Sequence, residues 1–141
     1  MRFWDSSAII PLLVQEPRSA AMRALLRADQ AMVVWWGSRV ECASALSRLE
    51  REGRLTRLGM QSASGRMEQI AAEWTEVSPM ERVREGALRL LRVHVLRAAD
   101  ALQLAAAVEL ADRDPREVGF VTLDDRLGEA ASREGFEVFR D

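Results

Sequence analysis

Four carboxylates, Asp5, Glu41, Asp100 and Asp124, stand in segments whose neighbours are mostly small or apolar. Asp5 follows Phe3-Trp4 and Asp124 follows Gly119-Phe120-Val121-Thr122, runs that read as short strands ending near an acid. In open α/β sheets, sites form beyond the carboxyl ends of the strands. A structural role is equally open to each, because an Asp between strand and helix can cap the helix by accepting from an orphan N–H. Glu41 has a similar alternative, since Ser38-Arg39-Val40-Glu41 matches the Ser-x-x-Glu capping box. At a period of 3.6 residues, however, Glu41 borders the arc of Ala45, Leu49 and Cys42 and not the wet face. Asp100 heads an apolar stripe of Leu104, Ala107, Val108 and Ala111. An unpaired carboxylate there is costly to bury. A helix N-terminus offsets part of the cost, and an ion pair with Arg97 is the structural alternative.

Brought together, four carboxylates would repel and raise one another's pKa. A divalent cation removes that repulsion, lowers the pKa of a bound water and holds a phosphodiester for in-line attack; two such ions about 4 Å apart are a recurrent nuclease arrangement. The chemistry indicated is metal-assisted hydrolysis of a phosphate ester. With one histidine, His94, and one cysteine, Cys42, a His/Cys metal site is excluded by count. The ligands must be oxygens, which points to magnesium or manganese. Nothing near His94 sets up a catalytic nucleophile, and Cys42 reads as a buried small hydrophobe.

All 20 basic residues are Arg. Without Lys there is neither a phosphate-binding P-loop nor Schiff-base chemistry. The net charge of −2 excludes a general nucleic-acid coat, so any polyanion must be met by local Arg patches. Arg48, Arg51, Arg54 and Arg57 form one candidate, with a solvated helix face as the alternative.

The elements that must position these groups alternate between strand and helix. Strands are expected at Phe3-Trp4, Ala31–Trp36, Thr75–Val77, Gly119–Thr122 and Glu137–Phe139. Helices are expected over Ala8–Val14, from Pro17 through Leu26, over Ser38–Glu52 with Gly53 as its stop, and over Thr56–Trp74 despite Gly59 and Gly65. Three more are expected over Met80–Arg92, Ala98–Leu110 and Arg126–Glu134, with a loop at 112–116 around Pro115. Trp35 and Trp36 read as core or rim packing, with an exposed base-stacking site as the alternative. The pattern gives an α/β fold with a mainly parallel sheet. The 141 residues fit one domain, 1–141. No apolar run approaches the roughly 18 residues of a membrane span. The N-terminus has no room for a signal peptide, so the expected location is cytoplasmic. Apolar faces around Met22, Leu25 and Leu26 and around Met60 and Met67 exceed what one small core absorbs, which suggests a homodimer.

The chain resembles the PIN-domain family, and most closely the VapC-type toxins of toxin–antitoxin pairs. Asp5-Ser6-Ser7-Ala8 matches the family's Asp-x-Ser-Ala opening, and Glu41 its acidic position at the start of the third helix. Asp100-Ala101-Leu102-Gln103-Leu104-Ala105 resembles its Asp-Ala-Leu-His-Leu-Ala segment, and Val121-Thr122-Leu123-Asp124-Asp125-Arg126-Leu127 its Val-Thr-x-Asp-x-x-Leu segment. The third segment is specific, the others short, and all four fall in family order along the whole chain. The resemblance implies a three-layer α/β/α PIN-like domain with a central, mainly parallel sheet. Asp5, Glu41, Asp100 and Asp124 would surround Mg²⁺ or Mn²⁺, with Ser7 and Thr122 as supporting or water-positioning groups. Asp125, next to Asp124, is a rival for the fourth place. Gln103 stands where the family often has His, a position that is not a ligand. The resemblance further implies an RNA endonuclease that inhibits growth, forms a homodimer and is silenced by a cognate antitoxin. An RNA-processing nuclease that is not a toxin, and a non-catalytic PIN-like binding module, are the rival functions. A phosphorylated receiver domain would need a Lys that this chain lacks.

Overall fold

The computed structural model describes residues 1–112 and 114–140. Each strand is short and alternates its side chains between two cores. Strand β1 (Arg2–Trp4) sends Phe3 to one face and Trp4 to the other; β2 (Met32–Trp35) sends Val33 and Trp35 one way and Met32 and Val34 the other. β3 (Thr75–Val77), β4 (Gly119–Val121) and β5 (Glu137–Phe139) complete a sheet in the order β3-β2-β1-β4-β5. All neighbouring strands pair in parallel. Burial on both faces explains why β2 reads as an unbroken apolar run.

Helices α1 (Ser6–Leu13), α2 (Ser19–Ala28), α3 (Ser38–Arg51) and α4 (Arg57–Ala71) cover the face of Trp4 and Val34. Helices α5 (Glu81–Val93), α6 (Ala98–Ala111) and α7 (Asp125–Arg133) cover the face of Phe3 and Phe120, whose rings stack at 5.4 Å. The result is a three-layer α/β/α sandwich. From β1 the chain moves outward through β2 to β3, then returns to place β4 on the other side of β1. The carboxyl ends of β1 and β4 therefore flank the topological switch point, where such sheets leave a crevice.

Several expectations are corrected. Pro17 does not open α2: it lies in a turn, and the helix begins at Ser19, whose buried hydroxyl accepts from Glu16 N and donates to Val14 O. The Ser38–Glu41 capping box does not form. Gly37 is the N-cap, and Ser38 turns its hydroxyl inward to Gln103. The α3 stop is as read: Gly53 has φ +71°, with Gly53 N bonding Glu50 O and Arg54 N bonding Leu49 O. The apolar faces of α2 and α4 are not surplus. Met22 and Met67 are buried, and Leu25, Leu26 and Met60 pack against the same core. Trp35 is core, whereas Trp36 is 54% exposed. A 3₁₀ turn at Pro115–Glu117 occupies part of the expected loop 112–116, of which Arg113 lies outside the described residues, as does Asp141 of the expected domain.

Candidate active site

Asp5, Glu41, Asp100 and Asp124 line one cleft of about 1190 Å³ at the carboxyl ends of β1 and β4. Asp5 is the N-cap of α1, and Asp124 is the N-cap of α7, accepting from Leu127 N at 2.8 Å. Capping and cleft lining thus coexist in both residues. Asp100 sits in the first turn of α6, and Glu41 in the first turn of α3. Four helix N-termini consequently bring their positive dipole ends toward a shared pool of negative charge.

Asp5 is the most enclosed of the four, at 4% exposure. Its Oδ2 accepts from Ser7 N at 3.1 Å, from Thr122 Oγ1 at 3.0 Å and from Ser7 Oγ. Those bonds converge on one oxygen. Among the described residues Oδ1 takes no hydrogen bond and is not sealed from solvent. The two hydroxyls are used in both directions. Ser7 Oγ accepts from Leu123 N at 2.9 Å, and Thr122 Oγ1 accepts from Asp124 N at 3.1 Å. The backbone of the β4–α7 junction is therefore locked onto Asp5, and Asp124 is held in register with it.

Burial pushes the Asp5 carboxyl up from its ordinary range; the bonds from Ser7 and Thr122 oppose the rise, and the Asp100 charge adds to it. Glu41 is also pushed up, first by burial and then by Asp5 and Asp100, while the nearby Gln103 amide and the bond from Ser6 oppose the rise. Asp100 rises through burial and the charge of Asp124; the Arg97 backbone and then its guanidinium oppose this. The Arg97 guanidinium is the weakest of these influences. The acids sense one another as a group. Cys42, fully buried beside them, has its thiol pushed up to about 12 by burial and by the Asp5 and Glu41 charges, which leaves it inert.

Among the described residues, no three His, Cys, Asp or Glu side chains already stand close enough to share an ion. An oxygen-lined open cleft with dispersed carboxylates nevertheless fits Mg²⁺, which keeps several waters and takes only one or two carboxylates directly. The free Oδ1 of Asp5 fits the same requirement. Asp125, the rival of Asp124, also borders the cleft, but its side chain is 92% exposed and its Oδ1 accepts from Arg140 Nη1 at 2.6 Å. Of the four candidate Arg residues, Arg48 and Arg54 line the cleft, joined by Arg97 and Arg126 on the opposite helices.

Sequence reasoning missed the buried amide of Gln103. It donates to Ser6 Oγ at 2.8 Å and to Ser38 Oγ at 3.1 Å, and Ser6 Oγ donates to Glu41 Oε2 at 3.1 Å. The available signal was a lone amide inside a helix of Ala and Leu, because a buried polar group must find partners.

A parallel sheet of this order, with acids gathered at its switch point, is the architecture of a PIN domain. That family matches residues 2–132, and the chain belongs to it. Within the family it stands with the VapC-type proteins. It is 31% identical over 110 residues to "Ribonuclease VapC45" of Mycobacterium tuberculosis (strain CDC 1551 / Oshkosh), covering 78% of this chain and 76% of that one. The fold is shared with FitAcB of Neisseria gonorrhoeae, at a TM-score of 0.68 and 18% identity over 99% of this chain and 97% of that one. It is shared too with M. tuberculosis VapC20, described as a sarcin-ricin loop cleaving toxin, at a TM-score of 0.64 and 16% identity over 96% of each chain.

Proposed function

We propose that the protein is a Mg²⁺- or Mn²⁺-dependent endoribonuclease and the toxin of a toxin–antitoxin pair. The observation that carries this reading is the convergence of Asp5, Glu41, Asp100 and Asp124 on one cleft at the switch point of a PIN fold. Relatives named as VapC ribonucleases support the substrate class. When bound, the metal polarises the phosphoryl oxygen and acidifies the attacking water.

The four acids would surround the cation, one or two binding it directly and the others through its waters. Asp5 offers Oδ1 while Ser7 and Thr122 hold Oδ2, so its plane is set before any ligand arrives. Asp100 and Asp124 stand close enough to raise the Asp100 pKa and are relieved together by positive charge. Glu41, held at Oε2 by Ser6 Oγ, would orient the attacking water. Arg48 and Arg54 on one wall and Arg97 and Arg126 on the other bind the phosphates flanking the scissile bond. Such a mix of acid floor and Arg walls suits a chain of net charge −2 that must still hold a polyanion.

The protein works as a homodimer, silenced by its cognate antitoxin. Leu88, Leu91, Val93 and Val95, exposed between 40% and 85% at the end of α5 and just beyond, give the apolar surface that a second copy covers. No helix among the described residues is long and apolar enough to cross a membrane, and the cytoplasm is the proposed location.

The direct test is incubation of purified protein with a mixed RNA pool, with and without Mg²⁺ or Mn²⁺, followed by mapping of new ends. Discrete internal ends that appear only with metal are expected. Intact RNA under all conditions, or cleavage that survives thorough EDTA treatment, would overturn the reading.

A further inference from the structure

Gln103 lies one turn after Asp100 on α6 and is fully buried. An apolar side chain would suit that helix, whose neighbours here are Ala and Leu. Instead the amide is saturated by two serines from other elements. Its Nε2 donates to Ser6 Oγ at 2.8 Å and to Ser38 Oγ at 3.1 Å, and its Oε1 lies 3.4 Å from Ser38 Oγ, which donates to it. An NH₂ group has two hydrogens, and a hydroxyl has one. With an amide hydrogen already directed at Ser6 Oγ, the single Ser6 hydrogen is left for Glu41 Oε2, 3.1 Å away. The direction of the chain is thereby fixed, from Gln103 to Ser6 to Glu41.

We propose that Gln103 is a positioning residue for the nuclease centre, which orients the Ser6 hydroxyl so that Glu41 is held by Oε2 and presents its other oxygen to the metal and water. This rests on the metal-nuclease reading above. The placement adds force to it. Ser6 adjoins Asp5, Ser38 lies one turn before Glu41, and Gln103 one turn after Asp100. One buried side chain therefore ties together the three helix starts that carry three of the four acids. A core amide with only a structural task has no need to pass a hydrogen to a serine that touches a cleft carboxylate.

The test is a mutant cycle on the full protein, with Mn²⁺ affinity measured by calorimetry and cleavage resolved into kcat and KM. Gln103→Met keeps the length and removes donors and acceptor. Ser6→Ala breaks the link to Glu41 but spares Gln103–Ser38. Ser38→Ala spares the link to Glu41. Gln103→Met and Ser6→Ala are each expected to lower Mn²⁺ affinity or kcat by about 10- to 100-fold, with KM for RNA near wild type. The double variant should lose no more than the worse single one, because the two act as a unit. Ser38→Ala, which leaves the Gln103–Ser6–Glu41 link in place, should lose clearly less than Ser6→Ala in both readouts. Melts in EDTA establish that each variant is folded; should Gln103→Met not fold, the contrast between Ser6→Ala and Ser38→Ala carries the test. Wild-type-like affinity and kcat in Gln103→Met, losses that multiply in the double variant, or equal losses in Ser6→Ala and Ser38→Ala would overturn the proposal. A wild type that shows the Mn²⁺ couplings without cutting RNA would contradict the nuclease reading and leave the positioning role standing; one that neither binds Mn²⁺ nor cuts would contradict both.

Discussion

Thr122 Oγ1 donates to Asp5 Oδ2 at 3.0 Å across 117 residues of sequence, and the same oxygen accepts from Asp124 N. One hydroxyl thus joins the ends of the two strands that flank the switch point. The Thr122→Val variant keeps the shape and removes both bonds. Loss of a buried partner to a charged group should cost about 1–3 kcal/mol of stability. Cleavage should fall about 10-fold or more, as outer partners of metal ligands do. Urea melts and single-turnover cleavage check this, and a variant as active as wild type would show that Asp5 needs no such lock.

Asp100→Asn removes a charge that stands among others. It should abolish cleavage without lowering the melting temperature in EDTA, because relief of burial and of the Asp124 repulsion outweighs the weaker pull of Arg97. In excess Mg²⁺ the order should reverse, since ligand binding to the native state stabilises by mass action and the variant binds more weakly. Paired thermal melts decide it. A variant melting well below wild type in EDTA would make Asp100 a structural ion-pair residue.

The sites of Asp5, Glu41 and Asp100 also set a pH dependence. Their folded pKa values are raised, so the native state holds protons that the unfolded chain has already released. Their contribution is fully present below the ordinary values of 3.8 for Asp and 4.5 for Glu, and is lost as pH rises through the folded values. Asp29 and Glu134 act oppositely: the N-terminal ammonium lowers the first and Arg89 the second, so their contribution is lost on acidification. In EDTA, these three acids should therefore make melting temperature decline as pH rises above the ordinary carboxylate values, and more gently in Asp100→Asn. A decline no gentler in Asp100→Asn than in wild type would contradict the sign.

Much of the lining of the candidate cleft was legible in the chain. Asp5 and Asp124 were marked by strand-to-helix junctions, which local pattern reveals. Asp100 was marked by its place at the head of a buried helix. Glu41 was reached in spite of a false capping signal, because the sequence could not say that Ser38 would prefer Gln103 to its own helix end. The His94–Glu134 pair, at 2.7 Å and 40 residues apart, depends on tertiary neighbours and leaves no local trace, and the lone Gln103 amide among Ala and Leu shows that partners are needed but not which ones. The Met22 and Met67 faces were misjudged for a related reason: the sequence shows that a face is apolar but not how much surface the neighbouring helices offer it.

Self-association should depend on the end of α5. Leu88 and Leu91 lie three residues apart, on one side of the helix, and both are exposed. Light scattering at micromolar concentration should give a dimer for wild type and a monomer for Leu88→Arg/Leu91→Arg, with the monomeric fold intact by circular dichroism. A wild-type monomer, or a double variant that stays dimeric, would place the interface elsewhere or remove it.

Asp5, Glu41, Asp100 and Asp124 are expected to act together on one bound cation. Titration of Mn²⁺ into wild type, Asp5→Asn, Glu41→Gln, Asp100→Asn, Asp124→Asn and Asp125→Asn addresses it without reference to any RNA. Binding should weaken in each of the first four variants by about 10-fold or more, and should be unchanged in Asp125→Asn, whose side chain pairs with Arg140. Affinities that stay at the wild-type value in the first four variants, or that fall only in Asp125→Asn, would contradict it.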